Sequence, residues 1–387
     1  NSLSPHGSVY GNLMSQGLTG ELPILSRGNW IFNIRSSTTS SFQTELYRSI
    51  QDYVTGDDNF NLIGESANSE KNQKSIYLPQ FSYFDFTNHF SYMATPNHRF
   101  TFTNTTGRDS IQENREFYGF SNFLLFDSFY TEGITELKNN GSAFNLSSHW
   151  NHESNTQFSF SNYTYESAYD SKSSAEKNTE LLSLGSIHEK NSLEDKSLKL
   201  HHRYKGSENH IIESGIDETF YHVQFNNRKT DGLDSNESFI EQKGFLHSFY
   251  LQDQWTPSRN WTIQTGLRMS YYSERMGFYT SPRISVINKM LSNITLEASM
   301  GKQVQFIHQL VGDKTTRGTQ GMWVLSTDNI PNTASVNTHF GLNWDFGDYS
   351  LNNEFYHRNM IDLVKFGEST IPIVAMNKKD ASESPLI

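Results

Sequence analysis

The sequence predicts an all-β protein, a transmembrane antiparallel β-barrel of which this chain supplies about fourteen strands. Three observations predict it: a polar chain rich in aromatics, segments that alternate with a period of two, and connections that run short, long, short, long. Only 35% of the 387 residues are hydrophobic, few for a soluble core of this size, yet 14% are aromatic, with 28 Phe and 19 Tyr. Disordered chains are poor in aromatics, so disorder does not explain the polarity. A barrel with a wet interior does, because only alternate residues of each strand need be apolar. No apolar run approaches the length of a membrane-spanning helix, Phe123 to Phe126 being among the longest, which leaves strands as the way across a bilayer. Asn1 to Pro5 carry neither the basic nor the apolar part of a signal peptide, so an exported protein would already have lost it.

The alternation is clearest late in the chain. From Trp261 to Tyr271 the odd positions are mostly apolar and the even ones polar or Gly. Ile294 to Met300 and His339 to Phe346 repeat the pattern. A period of two puts each set on one face of a strand, whereas a helix would spread the charges around its circumference.

Tight polar links are expected at Leu25 to Gly28, Thr95 to His98, Glu153 to Asn155, Lys205 to Glu208, Pro257 to Asn260, Leu291 to Asn293 and Gly347-Asp348. Between them lie longer polar segments, roughly 45–79, 109–141, 171–192, 225–242 and 306–334, read here as loops. Outer-membrane barrels have short periplasmic turns and long extracellular loops, so the rhythm sets the topology. Trp255, Trp261, Trp344 and Phe346 then fall near the periplasmic strand ends, as an interfacial girdle. The last strand, near Tyr349 to Val364, runs into another polar segment, and no aromatic-terminated closing strand precedes Ile387; the chain reads as one partial barrel domain, 1–387.

Several stretches resemble the TonB-dependent receptor family, in the form common in Bacteroidota. They begin with Gly11 to Ser15, Gly20-Glu21-Leu22-Pro23 and Phe32-Asn33-Ile34-Arg35. Tyr83 to Thr87 with Gly107-Arg108-Asp109, Trp150-Asn151-His152 with Phe158 to Tyr169, and Leu193 to Lys199 with His210 and Gly215 follow in order. The densest part runs from Tyr250 to Phe366 and holds Tyr250 to Trp255, Gly266-Leu267-Arg268, Ser281-Pro282-Arg283, Gln305 to His308, Trp323 to Asp328 and Asn353 to His357. The resemblance implies a 22-stranded barrel around a plug, with the plug and TonB box before Asn1 and about eight strands after Ile387. It also implies a place in the outer membrane, among its lipids, and import of a ligand with TonB as partner through the N-terminal region. A surface lipoprotein is a further partner the family admits. A passive pore, or a structural barrel in a lipoprotein or export complex, are the other functions weighed.

No catalytic site is expected. A net charge of −11 argues against nucleic acid, and without cysteine there is no thiol nucleophile or thiolate metal site. The 14 His form no HExxH and no zinc spacing; His149 and His152 should diverge, as should His201 and His202. Glu213, Asp217, Glu297 and Asp345 fall on polar strand faces and should line the lumen, with Arg268, Arg283 and Arg358 paired to the wall or a plug; contact with an anionic substrate is the other reading weighed for these arginines. No cofactor is expected. Sequons at Asn104, Asn145, Asn162, Asn236, Asn260 and Asn293 follow from abundant Asn and Ser. Gln305, His308, Arg317, Gln320 and Trp323, on the long extracellular segment Gln305 to Pro331, are the expected ligand contacts. Trp323 has two readings, packing into the mouth toward a ligand or pinning the loop to the barrel wall. Tyr118, Phe120 and Phe123 are further candidates for stacking.

Overall fold

A computed structural model describes residues 4–39, 45, 49, 74–118, 127–232, 234–310 and 321–364. Among them are seventeen strands. In chain order they are β1 (His6–Gly11), β2 (Ser15–Ile24), β3 (Gly28–Ser37), β4 (Lys74–Thr95), β5 (His98–Tyr118) and β6 (Ser128–His149). Then come β7 (Ser154–Lys177), β8 (Glu180–Lys205), β9 (His210–Asp231), β10 (Asp234–Ser258), β11 (Trp261–Tyr272) and β12 (Gly277–Leu291). The last are β13 (Ile294–Gln305), β14 (Ile307–Leu310), β15 (Met322–Leu325), β16 (Thr333–Phe346) and β17 (Tyr349–Ile361). Fifteen form one antiparallel sheet in sequence order, from β1 to β13 and on to β16 and β17, while β14 and β15 form a separate hairpin. The sheet is not closed: among the described residues β1 pairs only with β2, and β17 only with β16.

Each of the seven expected tight links joins a hairpin, from β2–β3 to β16–β17. These links share one end of the sheet. Three expected loops are not loops. Residues 171–192 belong to β7 and β8, joined by Asn178 and Thr179 at φ 52° and 68°. That pair of positive φ values matches the twist of a two-residue hairpin, although it lacks the glycine that usually signals one. Residues 225–242 likewise continue β9 and β10 through Gly232 at φ 60°. Much of 109–141 lies in β5 and β6. Polar composition misleads here because strands that rise above the bilayer meet water on both faces and no longer alternate. Of 45–79, β4 takes up 74–79; most of the rest, like the chain end at Ile387, lies outside the described residues.

Register explains the bilayer-facing surface. Leu22, Trp30, Phe90, Phe102, Phe144, Phe160 and Leu198 stand side by side across seven strands. One step nearer the tight links, Tyr92, Phe100, Leu146, Phe158, Leu200, Ile216, Phe249 and Met269 form a second row. Such large apolar groups stay exposed, Phe160 at 46%, because their solvent is lipid. Toward the far end the same face turns ionic. Arg108 pairs with Glu136, Lys138 bridges Glu136 (3.3 Å) and Glu166 (3.4 Å), and Lys190 reaches Glu166 at 2.8 Å. Beside them run Lys196–Glu194 (2.7 Å) and Lys243–Glu241 (2.8 Å). Charges in that position cannot face hydrocarbon, so the ladder marks where the sheet leaves it. At the tight-link end Trp255, Trp261, Trp344 and Phe346 are each about two-fifths exposed beside their turns, as a girdle requires.

Candidate ligand-contact region on the lumen wall

The opposite sheet face is polar. Arg35 Nε and Nη2 donate to Asp85 Oδ2 at 3.0 and 2.5 Å, with the guanidinium 5.0 Å from the Tyr83 ring. Asp85 shares a concavity of about 650 Å³ with Asn33, Thr87, Asp109 and Asn139. Asp217 and Glu213 line this face as expected. Arg268 pairs with Asp217 and lies over the Tyr250 ring, and Arg203 reaches Glu213 at 3.5 Å. His201 and His202 do diverge: His201 Nδ1 meets the Tyr250 hydroxyl, and His202 Nδ1 meets Thr156 Oγ1 at 2.9 Å. His149 ends β6, whereas His152 stands in the following turn rather than on a strand. No metal-holding cluster of His, Asp and Glu occurs among the described residues.

Onto this face folds the β14–β15 hairpin. Its chain leaves β13 at Gln305 and lies across β8, β9 and β10, three to five strands away in the sheet. The Trp323 backbone N–H donates to Asn191 Oδ1 (3.1 Å) and that of Leu325 to Gln242 Oε1 (2.8 Å). The Trp323 ring meets Tyr165 edge-on at 6.1 Å. Leu310, Met322 and Val324 bury themselves against Phe225, with Ile240 and Ile330 alongside. At the root, Phe306 stacks on Tyr272 at 4.7 Å and meets Tyr279 at 5.0 Å. Most of the large apolar side chains that are buried at all belong to this docking. The cause is elementary: the rest of the wall keeps its apolar groups on the lipid side, so only a segment folded inside can shed water there.

The expected contact residues separate. Gln305 closes β13, exposed, with Nε2 donating to the Ile307 carbonyl at 2.6 Å. His308 is buried, its Nε2 3.0 Å from Ser326 Oγ, which itself donates to the Pro331 carbonyl at 3.3 Å. Trp323 touches the wall through Tyr165 and Asn191, the pinning contact weighed above. Arg317 and Gln320 lie outside the described residues, as do Phe120, Phe123 and the Tyr118 side chain. Asn191, Gln242, Tyr165 and Phe225, which receive the hairpin, were not singled out from sequence. They sit in unremarkable alternating stretches, and nothing local marks a strand residue as the partner of a segment more than eighty positions away.

Burial pushes the His308 pKa below its usual value of about 6.5. The neutral ring is therefore the docked form. Docking stability is complete above the undocked pKa and falls as pH drops through it, because the released imidazole takes up a proton that the docked one refuses. The protection of the Trp323 and Leu325 amides, taken relative to the intrinsic exchange rate at each pH, is expected to fall below about pH 6.5, and His308→Gln to remove that pH dependence; equal protection at pH 5 and 8 would contradict it.

Several solved structures share this architecture. A point mutant of the ferric enterobactin receptor PfeA from Pseudomonas aeruginosa superposes with a TM-score of 0.60 at 11% identity, over 93% of this chain and 54% of that one. The fold is that of the transmembrane antiparallel β-barrel in that structure. The siderophore receptor PirA from Acinetobacter baumannii gives a TM-score of 0.57 at 10% identity, over 98% of this chain and 56% of that one. The RagAB peptide transporter gives 0.55 at 7% identity, over 92% and 45%. This chain thus spans about half the length of the receptor barrels it matches. No family profile matches the sequence, and no curated protein matches it.

Proposed function

We propose that this chain is part of the barrel of an outer-membrane transporter of the TonB-dependent kind, which takes a scarce ligand from outside and releases it into the periplasm. The supporting observation is the β14–β15 hairpin, folded inside the sheet and hydrogen-bonded to the lumen wall. A segment in that place narrows the far, extracellular end, and of the ligand contacts expected on this loop Gln305 is the one left exposed among the described residues. The likeness to a ferric enterobactin receptor and to a peptide transporter favours uptake, and TonB and a surface lipoprotein are the partners proposed with it. Unpaired backbone groups on a strand edge are costly in hydrocarbon, so the edges at β1 and β17 need partners in the membrane, which the further strands of this reading would supply.

Two measurements test this. The protein extracted from outer membranes is expected to have an intact mass near twice the 44.5 kDa of this chain, with plug and remaining strands included. A mass near 44.5 kDa would mean a small self-contained barrel and would end the energy-coupling claim. Cells lacking the protein, or lacking TonB, are expected to lose growth on the same limiting nutrient. Growth that depends on the protein but not on TonB would instead indicate a passive pore.

A further inference from the structure

The three arginines that the sequence places on the lumen wall of β11, β12 and β17 are not equivalent. Arg268 is paired with Asp217. Arg283 and Arg358 have no ion pair among the described residues. They occupy one cross-strand row, Gly266–Arg283–Gly301–Asn337–Arg358, over β11, β12, β13, β16 and β17. Arg358 Nε donates to Asn337 Oδ1 at 2.7 Å, and its guanidinium lies 5.5 Å from the Tyr356 ring centroid; neither partner cancels its charge. Arg283 lies in a cleft of about 280 Å³ whose polar lining includes Gln264, Ser299, Gln303, Asn337 and His339. Its row neighbours on both sides are glycines. A methyl at Gly266 would come within 2.9 Å of Arg283 Nε, and one at Gly301 within 3.4 Å of its Cβ. The bare strands on either side leave the guanidinium free to lie along the wall with its donors open to the lumen. Glu354, on the same face, lies 3.9 Å from His339.

We propose that this cleft binds an anionic group, a carboxylate or phosphate, of a small solute in the lumen. The planar fork of Arg283 accepts such a group bidentately. Gln264, Gln303 and Ser299 supply neutral donors around it, and Arg358 adds a second positive charge about three strand spacings, or roughly 14 Å, away. The polar groups of the lining stand beside the apolar edge of Ile284 and Met300, a mixture that suits a small organic anion. The inference uses the reading above only to call this face the lumen, and it extends that reading to the charge of the ligand. It can fail while uptake succeeds, since it is measured by binding to purified protein.

The experiment titrates the full-length protein in detergent with inorganic phosphate and with citrate, by calorimetry at low salt and again at physiological salt. Saturable binding that weakens with salt is expected. Arg283→Gln should weaken it about tenfold or more, the loss of a charged hydrogen-bonding partner, and Arg358→Gln by a smaller factor. Arg108→Gln, on the lipid-side face, should leave it unchanged while the variants keep wild-type heat-modifiable mobility. No saturable binding by the wild type would overturn the proposal, whether the cleft is empty or already filled by a protein carboxylate. Binding untouched by Arg283→Gln would mean an adventitious ion only, and would overturn it equally.

Discussion

Replacing Phe160 by Arg is expected to destabilise the folded barrel by about 2–4 kcal/mol, the cost of a cation on the lipid face near the bilayer midplane. Phe160 stands within the row from Leu22 to Leu198, flanked by Phe144 and Leu198 in register. Its neighbour Ser161 faces the lumen between Ala143 and Ser197. Ser161→Arg should therefore cost far less, since water or an acidic neighbour can meet it. The comparison isolates side-chain orientation, because the two positions share strand, depth and backbone pairing. Refolding into lipid vesicles across a denaturant series, followed by heat-modifiable mobility, measures both. If the two substitutions cost the same, or Ser161→Arg costs more, the assignment of the two faces is wrong.

The second large effect concerns the internal hairpin. Leu325 is fully buried, and truncating such a side chain to Ala typically costs about 2–5 kcal/mol. Leu325→Asp adds the burden of a carboxylate in a site without a cation. The docking rests on a small apolar cluster and a few hydrogen bonds to the wall, so the variant is expected to release the hairpin and leave the barrel intact. Protease added to the folded protein should then cut within β14 and β15, which docking shields in the wild type, and the Trp323 and Leu325 amides should lose protection together. Persistent protection in Leu325→Asp would show that the hairpin does not depend on this contact.

The sheet was legible where the chemistry of its surroundings alternates. Between Trp261 and Tyr271, or Ile294 and Met300, one face meets lipid and the other water, and the sequence records that as a period of two. The seven tight links were legible because turn residues cluster there. The extracellular parts of β7 to β10 were not, because both faces are wet and the Asn178-Thr179 turn carries no glycine. The loop from Gln305 to Pro331 was recognised as the place to look, from its length and its tryptophan. Its seat on Asn191, Gln242 and Phe225 was hidden, because a single acceptor on a polar strand looks the same with or without a guest. The inequality among Arg268, Arg283 and Arg358 was equally hidden: each is an arginine on an alternating strand, and only the register shows which has a carboxylate beside it.

The connectivity of the sheet also bears on how the chain folds. From β1 to β13 each strand pairs with its sequence neighbour, and most of these pairings close a hairpin and can proceed by zippering, β3 with β4 having a long segment between them. The pairing of β13 with β16 differs in skipping two strands, since the segment that holds β14 and β15 must be looped out before Gln305 can meet Thr333. Forming β14–β15 first shortens that loop and lowers the entropy of closing it. The internal hairpin would then act as a splint during folding, and variants that loosen it should slow the addition of β16 and β17 more than any earlier step.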